Sequence, residues 1–150
     1  MAVTVSGLFV ATWLDILDTT QLAVDLDLET HKLALFTNSI TPNFSTDTAY
    51  AVSPYNANEV SGTGYSAGGT AITTTTITES PTGTLMWDAA DTSWSTSTIT
   101  NARAGLAYAD ALAGNNAICL INFGADYSTV AGTFLVQWAS GGIFTIDITP

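Results

Sequence analysis

The strongest constraint on this chain is the register of one stretch near its end, GTFLVQWASGGIFTIDI, from Gly132 to Ile148. A two-residue loop at Gly141-Gly142 would set Trp138 opposite Thr145 and Val136 opposite Asp147. A three-residue loop, Ser140-Gly141-Gly142, instead pairs Ala139 with Ile143, Trp138 with Phe144, Val136 with Ile146 and Phe134 with Ile148. Only the second register gathers the large apolar side chains on one face, because a slip of one residue turns every side chain over. A glycine at the third loop position also suits the left-handed residue that such loops use. The stretch therefore reads as a C-terminal hairpin laid on the core of a β-sandwich.

The rest of the chain supplies strands for that core. Lys32–Thr37, Thr70–Thr78, Thr84–Ala89, Ile99–Asp110 and Ala117–Phe123 are β-branched or alternating runs bounded by turn residues. Asp91–Ser95 reads as a second short strand or a bulged continuation, and Ala117–Phe123, the most apolar run, as central. Gly124–Gly132 reads as a loop into the hairpin. Helical spacing occurs once, in GLFVATWLDILD (residues 7–18), where Phe9, Trp13 and Ile16 share a stripe with Val10, Leu14 and Leu17 beside it. Ser6 is its candidate N-cap. That helix either covers the open end of its own sandwich or meets a neighbouring subunit. The expectation is a mainly β fold, an antiparallel sandwich or jelly-roll-like domain over residues 25–150, with one short helix in an N-terminal arm, residues 1–24.

Charge narrows the function. Charged residues are 10% of the 150, where a soluble domain usually has about 25%. Thirteen are acids and two are bases, Lys32 and Arg103, for a formal net charge of −11. Such a balance argues against a nucleic-acid groove and against an anionic membrane surface. The longest apolar runs fall short of the roughly 20 residues a membrane helix needs. The surface is left to Thr, Ser, Ala, Gly and Asn, which suits a chain covered in part by other subunits. The first basic residue is Lys32, so no charged leader precedes GLFVATWL, and assembly in a cytoplasm is expected.

The candidate motifs are weak. VDLDLE (Val24–Glu29) alternates apolar and acidic residues and reads as a solvated strand edge; it lacks the glycine turn of a calcium loop. Gly62-Thr-Gly64-Tyr-Ser-Ala67 fits a relaxed dinucleotide fingerprint, but the β-branched TAITTTTIT follows where a helix is required, so no nucleotide site is expected. Those glycines instead predict positive φ and close approach of another backbone. Asp88 and Asp91 beside Trp87 and Trp94 suggest a sugar-stacking acid pair, although their spacing better fits turn formation. His31 has no ligand-type neighbour at metal spacing, and Cys119, the lone cysteine, reads as a core thiol. Arg103 is expected to pair with an acid or with a neighbouring chain's carbonyls. No catalytic constellation, cofactor site or metal site is expected. The long, polar Asn38–Tyr55 segment, with Pro42 and Pro54, is of the kind that forms interfaces. Subunit contacts are accordingly expected from Phe9, Trp13, Leu14, Phe44, Tyr55 and Tyr65.

Four stretches together resemble a large family of small structural proteins of tailed bacteriophages: DLDLETHKLALFTNSITPNF, NEVSGTGYSAGGTAI, LMWDAADTSWSTSTITNARAGLAYAD and INFGADYSTVAGTFLVQWASGGIFTI. The segment before Asp25 departs from that pattern. The resemblance implies a non-enzymatic virion component, with capsid decoration or cement the favoured role. It implies the major capsid protein as partner, a homotrimer or other homo-oligomer on a symmetry axis, and a place on the capsid exterior. A tail or neck component is the alternative. A different class is a carbohydrate-binding module on the virion surface, stacking sugars on Trp87, Trp94 or Tyr65.

Overall fold

The computed structural model describes residues 2–149 and is mainly β, with two antiparallel sheets and one short helix. In chain order the elements are β1 (Gly7–Leu8), α1 (Val10–Leu17), β2 (His31–Phe36), β3 (Thr70–Ile72), β4 (Thr76–Glu79), β5 (Thr84–Asp88), β6 (Thr92–Tyr108), β7 (Ala117–Val136) and β8 (Phe144–Asp147). The larger sheet has the order β1-β7-β6-β2-β3 and the smaller β4-β5-β8.

The two faces of the larger sheet carry different cores, as the period of two along β2 dictates. Leu33 and Leu35 face one core, which also holds Trp87, Trp94, Ile99, Ala107 and Val136. Ala34 and Phe36 face the other, with Val3, Phe9, Ile40, Tyr55, Leu106 and Leu120. The smaller sheet closes the first core through Trp87. The second core is closed by irregular chain: the N-terminal arm and the long segment after β2. Residues before Asp25 are thus built into the protein, since Val3 and Phe9 are wholly buried and β1 pairs with Leu120 and Cys119 of β7.

The expected C-terminal hairpin does not form. Phe134 pairs with Trp94 and Val136 with Thr92, both on β6, whereas Phe144 pairs with Trp87 and Ile146 with Leu85, both on β5. Ala139 and Gly142 bracket a tight turn, with the Gly142 amide donating to the Ala139 carbonyl at 2.8 Å, and the turn carries the chain from one sheet to the other. The apolar alternation of Phe144 and Ile146 is real, but Trp87 and Leu85 of β5 take the places that the hairpin register gave to Trp138 and Val136. Thr70–Thr78 breaks in the same way. Thr74 takes φ +56°, and β3 and β4 fall in different sheets.

Strands β6 and β7 are longer than expected. The expected loop Gly124–Gly132 lies inside β7, and the two expected strands Asp91–Ser95 and Ile99–Asp110 merge into the single strand Thr92–Tyr108, which leaves out Asp91, Ala109 and Asp110. Four residues with positive φ mark the irregularities: Thr96 and Asn101 on β6, Gly124 and Ala131 on β7. Each lies in a stretch where the register shifts. The shifts let Trp94, Ile99 and Ala102 face a single core although their numbers alternate in parity.

Two further expectations change locally. The helix starts at Val10 with Phe9 at its cap position, and Ser6 does not cap it; the Ser6 hydroxyl accepts the Asn122 amide at 2.8 Å instead. VDLDLE is a turn and not a strand edge. The Asp25 carboxylate accepts the amides of Asp27 and Leu28, while Glu29 accepts that of Asp25. Those backbone donors hold the Asp25 carboxyl below its usual range, and its hydrogen bond with Asp27 pushes Asp27 up.

Candidate functional site

The six residues expected to make subunit contacts divide sharply. Phe9 and Tyr55 are buried within the chain, their rings 5.8 Å apart edge to face. Phe44 is half-buried, 5.3 Å from Phe9, and Trp13 packs edge-on to Phe144 at 5.7 Å. Tyr65 is half-buried against Trp94. Leu14 alone is largely outside, 58% exposed.

Leu14 belongs to a larger apolar row. The docked face of α1 is made by Trp13 and by Thr12, whose hydroxyl donates to the Ala117 carbonyl at 2.6 Å. Beside it runs a row of Val10, Leu14 and Leu17, spaced four and three apart so that they line up along the helix. All three are exposed, Leu17 at 81%. The helix thus packs on its own chain, as one of the two expectations had it, and leaves an apolar row open to solvent. The spacing was legible; which of the two apolar stripes would be spent internally was not.

The second feature was not anticipated. Along β7 and the turn after it runs an apolar groove of about 590 Å³, lined by Ile121, Phe123, Tyr127, Phe134, Trp138 and Ile143 among others. Part of its wall, Tyr127–Thr129, lies in the stretch expected to be a loop, and the rest comes from both ends of β7 and the turn after it.

The Asn38–Tyr55 segment and the glycine-rich run after it are held by buried or half-buried carboxylates. Glu59 accepts the Tyr65 hydroxyl at 2.6 Å, the Gly68 amide at 2.7 Å and the Tyr50 hydroxyl at 2.8 Å. Tyr65 in turn accepts the Leu35 amide at 2.9 Å, which fixes the hub to β2. Tyr50 stacks on Tyr108 at 4.5 Å, and Tyr108 donates to the Gly68 carbonyl. Burial, and then the hydrogen bond to Glu59, pushes the Tyr50 phenol up to about 12. Tyr65 moves up further for the same reasons. Asp47 repeats the device, accepting the Asn43 amide at 2.7 Å and the Tyr55 hydroxyl at 3.2 Å. The glycines do what their spacing implied. A Cβ at Gly62 would sit 1.8 Å from the Thr98 carbonyl oxygen, and one at Gly69 at the same distance from that of Leu33.

Of the three rings expected to stack a sugar, the two tryptophans present no open face, and Tyr65 is half-buried. Trp87 is fully buried and donates through Nε1 to the Leu26 carbonyl at 2.7 Å, and Trp94 is 5% exposed. Asp88 and Asp91 accept the amides of Ala89 and Trp138, so both serve the backbone. His31 is buried edge-on to Trp87, its Nε2–H donating to the Asp25 carbonyl at 2.8 Å. Cys119 is buried, which pushes its thiol up to about 12. Among the described residues no three His, Cys, Asp or Glu side chains converge as metal ligands, and no helix is long and apolar enough to cross a membrane.

Both bases are occupied. Lys32 pairs with Asp110 at 3.0 Å, and Arg103 pairs with Asp126 at 3.4 Å while its other nitrogen reaches the Val3 carbonyl. All thirteen acids are among the described residues, and two of them pair with Lys32 or Arg103, which leaves eleven without a lysine or arginine partner there. Comparisons with family descriptions, with curated proteins and with solved structures found no match.

Proposed function

We propose that this chain is a non-enzymatic structural component of a tailed-phage virion, a capsid decoration protein that clamps neighbouring major capsid subunits on the head exterior. The observation that carries the reading is the outer row of α1. Val10, Leu14 and Leu17 stand in solvent on a helix already anchored by the face beside them. A rigid helix presenting apolar residues at three- and four-residue spacing is a ready ridge for the groove of another protein. Sparse charge supports the same reading, because a surface with few ions is inexpensive to desolvate when a neighbour covers it. The resemblance of four long stretches to phage structural proteins supports a major capsid subunit as that neighbour.

The test places the chain in averaged particle images and challenges particles lacking it with heat and low salt. Decoration predicts density on the head surface and weaker particles. Density on the tail or neck, or particles as robust as intact ones, would overturn it. Leu14→Asp with Leu17→Asp should abolish particle binding while leaving the soluble fold unchanged, since both side chains are exposed.

A further inference from the structure

The groove along β7 lies beside an open strand edge. β7 pairs with β6 along one side; on the other, β1 reaches only Cys119 and Leu120, and the Ser6 hydroxyl takes the Asn122 amide. The Gly124 amide is turned back onto its own Asn122 side chain. From Ala125 to Val136, no described strand lies beside β7 on that side. At about 3.4 Å per residue this is roughly 40 Å of edge. Bulges at Gly124 and Ala131 bend it, yet it holds neither lysine nor proline, the residues that usually keep edges from pairing. Tyr127, Val130 and Leu135 stand out from it, Val130 84% exposed.

Charge selects the occupant. The single ion on this edge, Asp126, is neutralised by Arg103, so the edge is an uncharged strip on a molecule of net charge −11. A basic partner would be drawn to the acids between Asp15 and Glu29 instead. Two copies of so acidic a chain repel each other least where each is locally neutral, and this strip meets that condition. We propose that Ala125–Val136 pairs antiparallel with the same edge of a second copy, continuing the larger sheet across a two-fold axis. Pairing of one edge with itself is isologous and stops at two copies. Backbone hydrogen bonds would supply affinity, and Tyr127, Val130 and Leu135 the apolar contact.

The experiment is light scattering of the full chain across a concentration series, with hydrogen exchange of the β7 amides at each concentration. The expected result is a two-fold mass at high concentration, with amides of residues 125–136 slowing by at least about ten-fold as it forms. Val130→Lys should return the mass to that of one chain. Thr133→Lys, also at an exposed position, repeats the test should the first variant lose its circular-dichroism spectrum. A single-chain mass at every concentration, a trimer, edge amides that exchange equally fast in the dimer, or a dimer indifferent to both lysines would each overturn the pairing. So would protection that arises only with a different protein present. The outcome is separable from the decoration reading, which is tested at Leu14 and Leu17.

Discussion

Glu59 holds three donors on two oxygens, two of them phenols that need an acceptor once they leave water. Glu59→Gln keeps the volume but turns one oxygen into a donor facing a donor. We expect it to cost about 1–3 kcal/mol in urea unfolding, the usual penalty of an unsatisfied buried group. The same cluster makes the protein sensitive to alkali. A phenol whose folded pKa is raised favours the folded state while it stays protonated; that stability is intact below about pH 10, its unfolded value. It is lost as the pH climbs through the folded value, about 12 for Tyr50. Thermal midpoints should therefore fall across that window, and phenolate absorbance should rise together with unfolding. None of this was legible from residue types alone, since Glu59 and Tyr65 sit in a run that reads as a plain glycine loop. The glycines, in contrast, announced their role.

At the level of elements, two glycines give a direct comparison. Gly69 has φ +74° and faces the Leu33 carbonyl, so a methyl group there must push β2 and β3 apart. Gly69→Ala should cost at least about 2 kcal/mol, the left-handed penalty plus the clash. Gly141 lies on the outer turn with open space around it, and Gly141→Ala should change stability by less than about 0.5 kcal/mol. Denaturant melts of the two variants check both. Strands with clean periodicity, such as β2 and β5, could be read nearly to their ends. What could not be read was where the chain changes sheets. Thr73–Thr75 carries no break in β propensity strong enough to signal a crossing, and the Ser140-Gly141-Gly142 turn reads equally well as a hairpin loop or as a passage to the other sheet. The bulges hid the length of β6 and β7 for a related reason, because they put the apolar alternation out of phase without ending the strand.

For the whole molecule, the uneven charge balance is the dominant feature. Eleven unpaired acids repel one another most when the chain is compact, and added salt screens that repulsion. The thermal midpoint should accordingly rise as sodium chloride is raised from about 10 mM to 500 mM, where the Debye length shrinks from about 30 Å towards 3 Å. A midpoint that fell would mean that the two ion pairs outweigh the repulsion. Composition had already indicated this much. It could not indicate that the neutral strip and the apolar helix row would stand apart on separate elements.

The crossing after β7 also sets the timetable on which the protein can fold. Trp87 faces Ile77 of β4 on one side, but its other cross-strand neighbour, Phe144, comes only after the two longest strands. A chain emerging from the ribosome must carry β5 with one edge open until β8 arrives. Contacts closed over so long a loop form late, and they leave apolar surface open in the meantime. Shortening the chain to end before Phe144 should thus yield a sticky, incompletely folded species and not a smaller stable one.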